Sequence, residues 1–153
     1  MSAVLKSQHQ FRPMQMDDLD AVMAIEPHIY LYPWTRGNFS DSLTSGYSAW
    51  VLVRNEQIVG YSLMMMVLDE AHLLNLSVDK DFQKQGLGRL LLEYMVETAR
   101  SNQMANMFLE VRSSNISAIA LYENMGFNEM AIRRAYYPAA DGREDAVLMG
   151  LAL

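Results

Sequence analysis

Three apolar segments follow one another with very short breaks in the first half of this chain. Ser48–Arg54 and Gln57–Leu68 are rich in Val, Leu, Tyr and Trp, and the turn-prone pair Asn55-Glu56 separates them. This pattern predicts a β-hairpin. A second short turn leads into Ala71–Val78, which extends the hairpin to a three-stranded antiparallel meander. The chain therefore has to build part of its fold around an antiparallel sheet.

The segments before and after this meander alternate between helix and strand patterns. Carboxylates interact favourably with the start of a helix, so Asp17, Asp18 and Asp20 predict a helix start after a strand at Gln10–Met14. A long amphipathic helix is predicted for Gly86–Ser101. Before the meander we predict an aromatic loop between Pro27 and Pro33 and a short helix at Arg36–Leu43. After the long helix we predict a strand at Met107–Val111 and a helix at Asn115–Asn124, which Gly126 ends. The last two predicted strands, Phe127–Tyr136 and Ala146–Leu153, lie on either side of a polar turn at Asp141–Asp145.

The predicted order is βααβββαβαββ. It indicates an α/β fold with antiparallel strands at both ends of a mixed, mostly antiparallel sheet. The 153 residues contain no internal repeat, low-complexity tract or linker rich in Pro, Gly or Ser. We therefore expect one domain over residues 1–153, long enough to bury one substantial core.

The composition excludes several kinds of site. Because the chain has no cysteine, it cannot form a disulfide bond, a thiolate zinc site or a cysteine nucleophile. Its three histidines, His9, His28 and His72, are far apart and do not pair at metal-binding spacings, so no metal is expected. Twelve Lys and Arg residues against eighteen Asp and Glu residues give a net charge of −6. That charge disfavours nucleic-acid binding and suits a basic partner.

The sequence shows no membrane or export segment. Its start, Met1–Phe11, is polar, and its most apolar run, Tyr61–Leu68, is far shorter than the roughly 20 residues that cross a bilayer. We therefore expect a cytoplasmic protein without a membrane partner.

A glycine-containing loop precedes the long helix. Gly86 and Gly88 allow the backbone to approach a ligand closely, and the N-terminus of the helix offers free N–H groups and the positive end of a dipole. Together these features can bind a pyrophosphate. Lys84 and Arg89 add positive charge nearby.

Several interpretations of this loop compete. A Walker loop requires GxxxxGK[ST], which the chain lacks. A Rossmann fingerprint requires a third glycine within a parallel βαβ unit, whereas antiparallel strands precede this loop. The Q/R-x-x-G-x-G/A loop of acyl-CoA-dependent transferases and an ordinary strand-to-helix turn remain.

A second motif distinguishes these two. Gln83-x-x-Gly86-x-Gly88 is followed by Asn115-x-x-Ala118-x-x-Leu121-Tyr122-x-x-x-Gly126-Phe127, and the two in this order resemble the GNAT superfamily of N-acetyltransferases. Further segments resemble the branch of that superfamily that acetylates the N-terminal alanine of a bacterial ribosomal protein. These segments are Pro33-Trp34, Val67–Ala71, Leu109–Arg112, Arg133–Pro138 and Asp141–Ala146.

The resemblance implies a binding site for acetyl-CoA. In the family the sheet is splayed between its fourth and fifth strands, here Leu74–Val78 and Met107–Val111, and pantetheine lies in the gap. Backbone groups of Leu76, Ser77 and Val78 would pair with pantetheine, and the side chain of Asn115 would contact the cofactor. The residues implied for the pyrophosphate are Lys84, Gln85, Gly86, Leu87, Gly88 and Arg89.

Two residues are candidates for the chemistry. Glu110 is the only carboxylate in an apolar strand, so it either pairs with a neighbour such as Arg112 or is placed for proton transfer. Tyr122 lies seven residues after Asn115, on nearly the same helix face, and is either a core residue or a proton donor. The resemblance implies Glu110 as general base and Tyr122 as general acid, in direct transfer within a ternary complex.

The acceptor follows from the resemblance alone. It would be the N-terminal alanine of a small-subunit ribosomal protein with an arginine-rich start, and the net charge of −6 is compatible with such a basic tail. Five aromatic residues either line its entry or pack half-buried: Tyr30, Tyr32, Trp34, Tyr136 and Tyr137. Two alternatives stay open, namely acetylation of a lysine side chain or small amine, and a module that binds acetyl-CoA without turnover.

Overall fold

The computed structural model describes residues 8–153. Residues 1–7 of the polar start, Met1–Phe11, lie outside the described residues. Within residues 8–153, seven strands form one sheet in the order β1-β2-β3-β4-β5-β7-β6. The strands are β1 (Gln10–Pro13), β2 (Ser48–Arg54), β3 (Gln57–Val67), β4 (Glu70–Val78), β5 (Asn106–Arg112), β6 (Asn128–Ala139) and β7 (Gly142–Ala152). The helices are α1 (Leu19–Ile29), α2 (Arg36–Thr44), α3 (Leu87–Ser101) and α4 (Ile116–Asn124).

The sheet is mixed, as predicted. Strands β1 to β4 form an antiparallel meander, and β5, β7 and β6 form a second antiparallel group. The two groups meet where β4 pairs with β5 in parallel. A parallel neighbour requires a crossover connection, and α3 lies within that crossover.

The two central strands separate after a short paired stretch. Hydrogen-bonded pairing between β4 and β5 runs from Glu70 opposite Asn106 to Leu73 opposite Leu109. At the same point Leu74 has no partner on β3, which indicates a β-bulge that redirects the rest of β4. The last residues of the two strands therefore enclose a cleft, and the splay expected between the fourth and fifth strands is confirmed.

Helices cover both faces of the sheet. Alternate residues of a strand point to opposite faces, and β3 shows this clearly. Tyr61 and Leu63 pack with Leu19 of α1, whereas Met64 packs with Met95 of α3. Within residues 8–153, no helix is long and apolar enough to cross a membrane.

Two local predictions were wrong. The predicted loop does not begin at Pro27, because helix α1 continues to Ile29. Pro27 lacks an N–H and so removes one backbone hydrogen bond, a loss that a helix tolerates within its last turn. The polar turn is shorter than Asp141–Asp145, since Gly142 has a φ of 115° and β7 starts there. Glu144 is therefore a strand residue, directly opposite Tyr137 of β6.

Candidate active site

The unpaired edge of β4 forms one wall of the cleft. Leu76 and Ser77 pair with β3 on one side only, opposite Ser62 and Tyr61. Strand β3 approaches closely here, because a Cβ atom added to Gly60 would lie 3.0 Å from the Ser77 carbonyl oxygen. The backbone at Leu76, Ser77 and Val78 is thus firmly held and has one edge free to pair with a ligand.

The loop before α3 lies at one end of this wall. Lys84 and Gly86 have φ angles of 63° and 83°, both in the left-handed region. The Gln83 side-chain amide donates to the Val78 carbonyl oxygen at 3.0 Å and so fixes the loop to β4. Helix α3 then begins at Leu87, whose side chain is buried, so only its backbone can serve a ligand. Free N–H groups at this helix start, exposed Lys84 and exposed Gln85 fit the pyrophosphate of acetyl-CoA.

Helix α4 supplies the opposite wall. Asn115 is its N-cap, and its side-chain oxygen accepts from the Ala118 N–H at 3.2 Å, which leaves the amide nitrogen for a ligand. Tyr122 is buried beside Phe127, and its hydroxyl donates to no residue that the structure describes. Burial, reinforced by Tyr30 and Tyr137, raises the pKa of Tyr122 far above its ordinary value. The phenol is therefore protonated throughout the physiological pH range.

Glu110 lies on β5 just beyond the last β4 pair. Its side chain is 28% exposed and sits 3.6 Å from the guanidinium of Arg133. The neighbour expected from the sequence, Arg112, does not pair with it. The structure thus gives Glu110 a cationic partner on β6 and leaves part of its side chain exposed.

Tyr137 interacts electrostatically with both candidate catalytic residues. Burial, together with the charge of nearby Glu110, raises the pKa of Tyr137 to about 12. Tyr137 in turn contributes to the raised pKa of Tyr122. Glu110 and Tyr122 are therefore both within electrostatic range of one common side chain, Tyr137.

The mouth of the cleft contains an arrangement that the sequence did not indicate. The Arg112 guanidinium lies between the rings of Tyr32 and Tyr137, 4.9 Å and 4.5 Å from their centroids. It also donates to Glu144 at 2.9 Å and to the Pro138 carbonyl oxygen at 2.6 Å. We call Arg112, Tyr32, Tyr137 and Glu144 the arginine clamp. It joins the α1–α2 loop (Tyr30–Thr35) to the β6–β7 hairpin.

A cavity of about 340 Å³ opens beside the clamp. Tyr30, Arg112, Asn115 and Glu144 are among the residues that line it. Hydrogen bonds from Ser114 and Arg112 hold the pKa of Glu144 below its ordinary value, so this carboxylate is charged near neutral pH. The cavity connects the predicted cofactor contact at Asn115 with the aromatic residues of the loop.

The five aromatic residues predicted at the entry have different surroundings. Tyr32 and Tyr137 belong to the clamp, and Tyr136 packs against Tyr137 with ring centroids 5.0 Å apart. Tyr30 reaches into the cleft, where its hydroxyl donates to the Leu76 carbonyl oxygen at 3.0 Å. Trp34 is half-buried and packs against the core ring of Phe39, 5.0 Å between ring centroids, so its ring faces the core cluster.

Comparison with known proteins agrees with this geometry. The sequence pattern of the Acetyltransferase (GNAT) family matches residues 14–127, more than half of the chain. The chain belongs to the GNAT family. It is therefore an acetyl-CoA-dependent N-acetyltransferase.

This GNAT enzyme has curated relatives that it matches over nearly their full length. It is 44% identical over 140 residues to the [ribosomal protein bS18]-alanine N-acetyltransferase of Escherichia coli, covering 92% of this chain and 95% of the relative. The protein of the same name from Haemophilus influenzae is 39% identical over 137 residues, covering 89% and 93%.

Solved structures support the same fold. The ribosomal-protein-S18-alanine N-acetyltransferase from Escherichia coli superposes with a TM-score of 0.90 at 42% identity, covering 94% of this GNAT enzyme and 93% of that chain. Ard1 from Thermoplasma volcanium gives a TM-score of 0.87 at 25% identity, covering 95% and 98%.

Proposed function

We propose that this enzyme transfers the acetyl group of acetyl-CoA to the α-amino group of the N-terminal alanine of a small-subunit ribosomal protein. The observation that carries the proposal is the cleft between the separated ends of β4 and β5, whose mouth is aromatic and large enough for the end of an extended chain. The names of the relatives support alanine and the ribosomal protein as acceptor.

The first step is removal of a proton from the acceptor. An α-ammonium group has an ordinary pKa near 8, so much of it is protonated at neutral pH and cannot attack. Glu110, directly or through one water molecule, takes this proton as general base. Its partly open carboxylate on β5 is in a suitable position for this role.

The free amine then attacks the thioester carbonyl. Negative charge develops on the carbonyl oxygen, and a backbone N–H on the free edge of β4, at Leu76, Ser77 or Val78, stabilises it. When the carbon–sulfur bond breaks, the CoA thiolate takes a proton from the Tyr122 hydroxyl, and the second proton of the attacking amine, released as the amide forms, restores that hydroxyl. The acetyl group passes directly from donor to acceptor within a ternary complex, without a covalent enzyme intermediate.

The charge and the aromatic mouth favour a basic acceptor tail. The chain carries a net charge of −6. The arginine clamp shows that Tyr32 and Tyr137 contact a guanidinium, and Arg133 lies 5.4 Å from the ring centroid of exposed Tyr136, so the rings at this mouth suit arginine side chains such as those of the acceptor. The acidic residues at the mouth are largely paired with arginines of this chain, so stacking would contribute more than net charge does.

A three-way competition tests the proposal. The enzyme and acetyl-CoA are mixed with an alanine-arginine-rich peptide with a free N-terminus, the same peptide blocked there but containing lysine, and a polyamine. Mass spectrometry should find the acetyl group on the free alanine only. Acetylation of lysine or polyamine would overturn the choice of acceptor and keep the GNAT activity. If no acceptor were acetylated while acetyl-CoA bound, the site would act as a binding module.

A further inference from the structure

Helix α1 contains a carboxylate that the proposed mechanism does not use. Glu26 is 1% exposed, and no Lys, Arg or His of the described residues forms an ion pair with it. It accepts hydrogen bonds from the Tyr61 hydroxyl at 2.6 Å and the Trp34 backbone N–H at 3.0 Å. Burying a carboxylate without a cation is costly. Such a group therefore points to a role beyond packing.

A chain of hydrogen bonds leads from Glu26 to the cleft. The Asn75 amide nitrogen lies 3.5 Å from Glu26, and its amide oxygen accepts from the Ser77 hydroxyl at 2.6 Å. The Ser77 hydroxyl lies 2.8 Å from that of Tyr30, and because Ser77 gives its single hydrogen to Asn75, the Tyr30 hydrogen is shared between Ser77 and the Leu76 carbonyl oxygen. The chain ends at the free edge of β4, where acetyl-CoA is expected to bind.

This network positions groups and does not conduct protons. The side chain of Asn75 carries an amide, which does not titrate, and it interrupts any relay between Glu26 and Ser77. Burial raises the pKa of Tyr30 to about 12, so its hydroxyl stays a donor to Leu76 at neutral pH. The network is therefore a fixed structural connection.

Both ends of the α1–α2 loop are attached to this one carboxylate. Trp34, near the end of the loop, donates to Glu26 directly, and Tyr30, at its start, is attached through Ser77 and Asn75. Tyr32 lies between these two points and contributes to the arginine clamp. The position of Tyr32 at the mouth thus depends on a carboxylate inside the protein.

We propose that Glu26 is a positioning residue that holds the α1–α2 loop against the open edge of β4 and so forms the binding site for an extended acceptor peptide. The inference rests on the proposed function, because it assigns the loop to the acceptor. The β4 edge itself is also held by its pairing with β3, so acetyl-CoA binding does not depend on Glu26 in the same way.

Steady-state kinetics and calorimetry test this role. Glu26→Gln keeps the volume and removes the charge, and Tyr30→Phe cuts the far end of the network if the first variant folds poorly. Tyr47→Phe is the matched control, because the Tyr47 hydroxyl bonds to no residue that the structure describes.

We expect the KM for the alanine peptide to rise about tenfold in Glu26→Gln, which is the effect of losing a hydrogen bond to a charged group. The Kd for acetyl-CoA should stay within about twofold, because the substitution is expected to alter no contact with acetyl-CoA. An unchanged peptide KM, or an equal weakening of acetyl-CoA, would overturn the proposal.

Trp34 provides a second readout that needs no turnover. In a Trp50→Phe background, fluorescence reports Trp34 alone, since the chain contains two tryptophans. Glu26→Gln should make Trp34 more accessible to acrylamide quenching, whereas Tyr47→Phe should not. Equal quenching in all variants would contradict attachment of the loop by Glu26. If the wild-type enzyme acetylated no N-terminal alanine, the proposed function would be wrong. The quenching result would still decide whether Glu26 holds the α1–α2 loop.

Discussion

Arg112 and Glu144 form a salt bridge of 2.9 Å between β5 and the β6–β7 hairpin, and both side chains are largely shielded from solvent. The same guanidinium contacts Tyr32 of the α1–α2 loop, so one side chain holds the two sides of the cleft mouth together. Residues from three separate parts of the chain thus meet at Arg112.

Replacing Arg112 by Gln should disturb acceptor binding. The change removes two charge-assisted hydrogen bonds and both ring contacts, so we expect the KM for an alanine peptide to rise about tenfold. Arg100→Gln is the matched control, because Arg100 pairs with exposed Glu97 on the surface of α3 and with no other residue that the structure describes. Peptide kinetics in which the two variants behave alike would show that the clamp does not shape the acceptor site.

Tyr122→Phe should lower turnover without weakening acetyl-CoA binding. The hydroxyl forms no hydrogen bond with the described residues, so its removal leaves the packing intact. Loss of a general acid reduces kcat by about a hundredfold or more. Because the pKa of Tyr122 is strongly raised, the wild-type pH profile should show no alkaline loss from this group below about pH 10, the ordinary value for tyrosine. Normal turnover in the variant would make Tyr122 a core residue.

Glu110→Gln should be most harmful at low pH. At pH 7 we expect kcat/KM to fall by about a hundredfold, the usual contribution of a general base. The deficit should shrink above about pH 8, where the acceptor amine loses its proton unaided. Arg133→Gln serves as control, since it removes the salt bridge and leaves the carboxylate. If the two variants had the same pH profile, Glu110 would act as the partner of Arg133 and not as a base.

Gly86→Ala and Gly88→Ala should differ in their effect on acetyl-CoA affinity. Gly86 has a φ of 83°, and a side chain in this left-handed conformation costs about 1–2 kcal/mol, enough to weaken binding about tenfold. A Cβ atom at Gly88 would lie 3.5 Å from Leu121, an ordinary contact, so that variant should bind nearly normally. Calorimetric titration with acetyl-CoA measures both, and equal affinities would argue against a rigid loop at Gly86.

The stability of the protein should depend on pH through Glu26. Burial raises the pKa of Glu26 above its ordinary value of 4.5, so the folded protein holds this proton more tightly than the unfolded chain does. The resulting stabilisation is complete below pH 4.5 and is lost as the pH rises through the raised pKa. Urea unfolding of wild type and Glu26→Gln between pH 4.5 and 8 should show wild type losing stability relative to the variant. A relative gain would mean that the hydrogen bonds to Glu26 outweigh its burial.

Features set by neighbouring residues could be predicted from the sequence. Strand β2 has the predicted bounds, because Asn55 and Glu56 both adopt positive φ and make a two-residue turn, a local property. Gly126, with a φ of 102°, ends α4 as expected for the same reason. The order of helices and strands along the chain likewise follows from short-range patterns.

Features set by distant contacts could not be predicted. A proline usually marks the end of a helix, yet contacts of Glu26 with Tyr61 hold the last turn of α1 together beyond Pro27. Closeness in sequence suggested that Arg112 would pair with Glu110. Arg112 instead pairs with Glu144, which lies 32 residues further along the chain on β7. Only the folded β6–β7 hairpin brings these two side chains together.

The short parallel pairing of β4 with β5 also has a consequence for how the molecule forms. Strands β2, β3 and β4 are joined to one another by short turns, as are β6 and β7, whereas β5 pairs with β4 across α3 and with β7 across α4 and β6. Contacts close in sequence form faster than distant ones. We therefore expect the β2–β4 meander and the β6–β7 hairpin to form early and β5 to be added to them afterwards, at its pairs with β7 and at the four residue pairs with β4 where the cleft begins. A newly made chain would gain its catalytic cleft only after these two local units have formed.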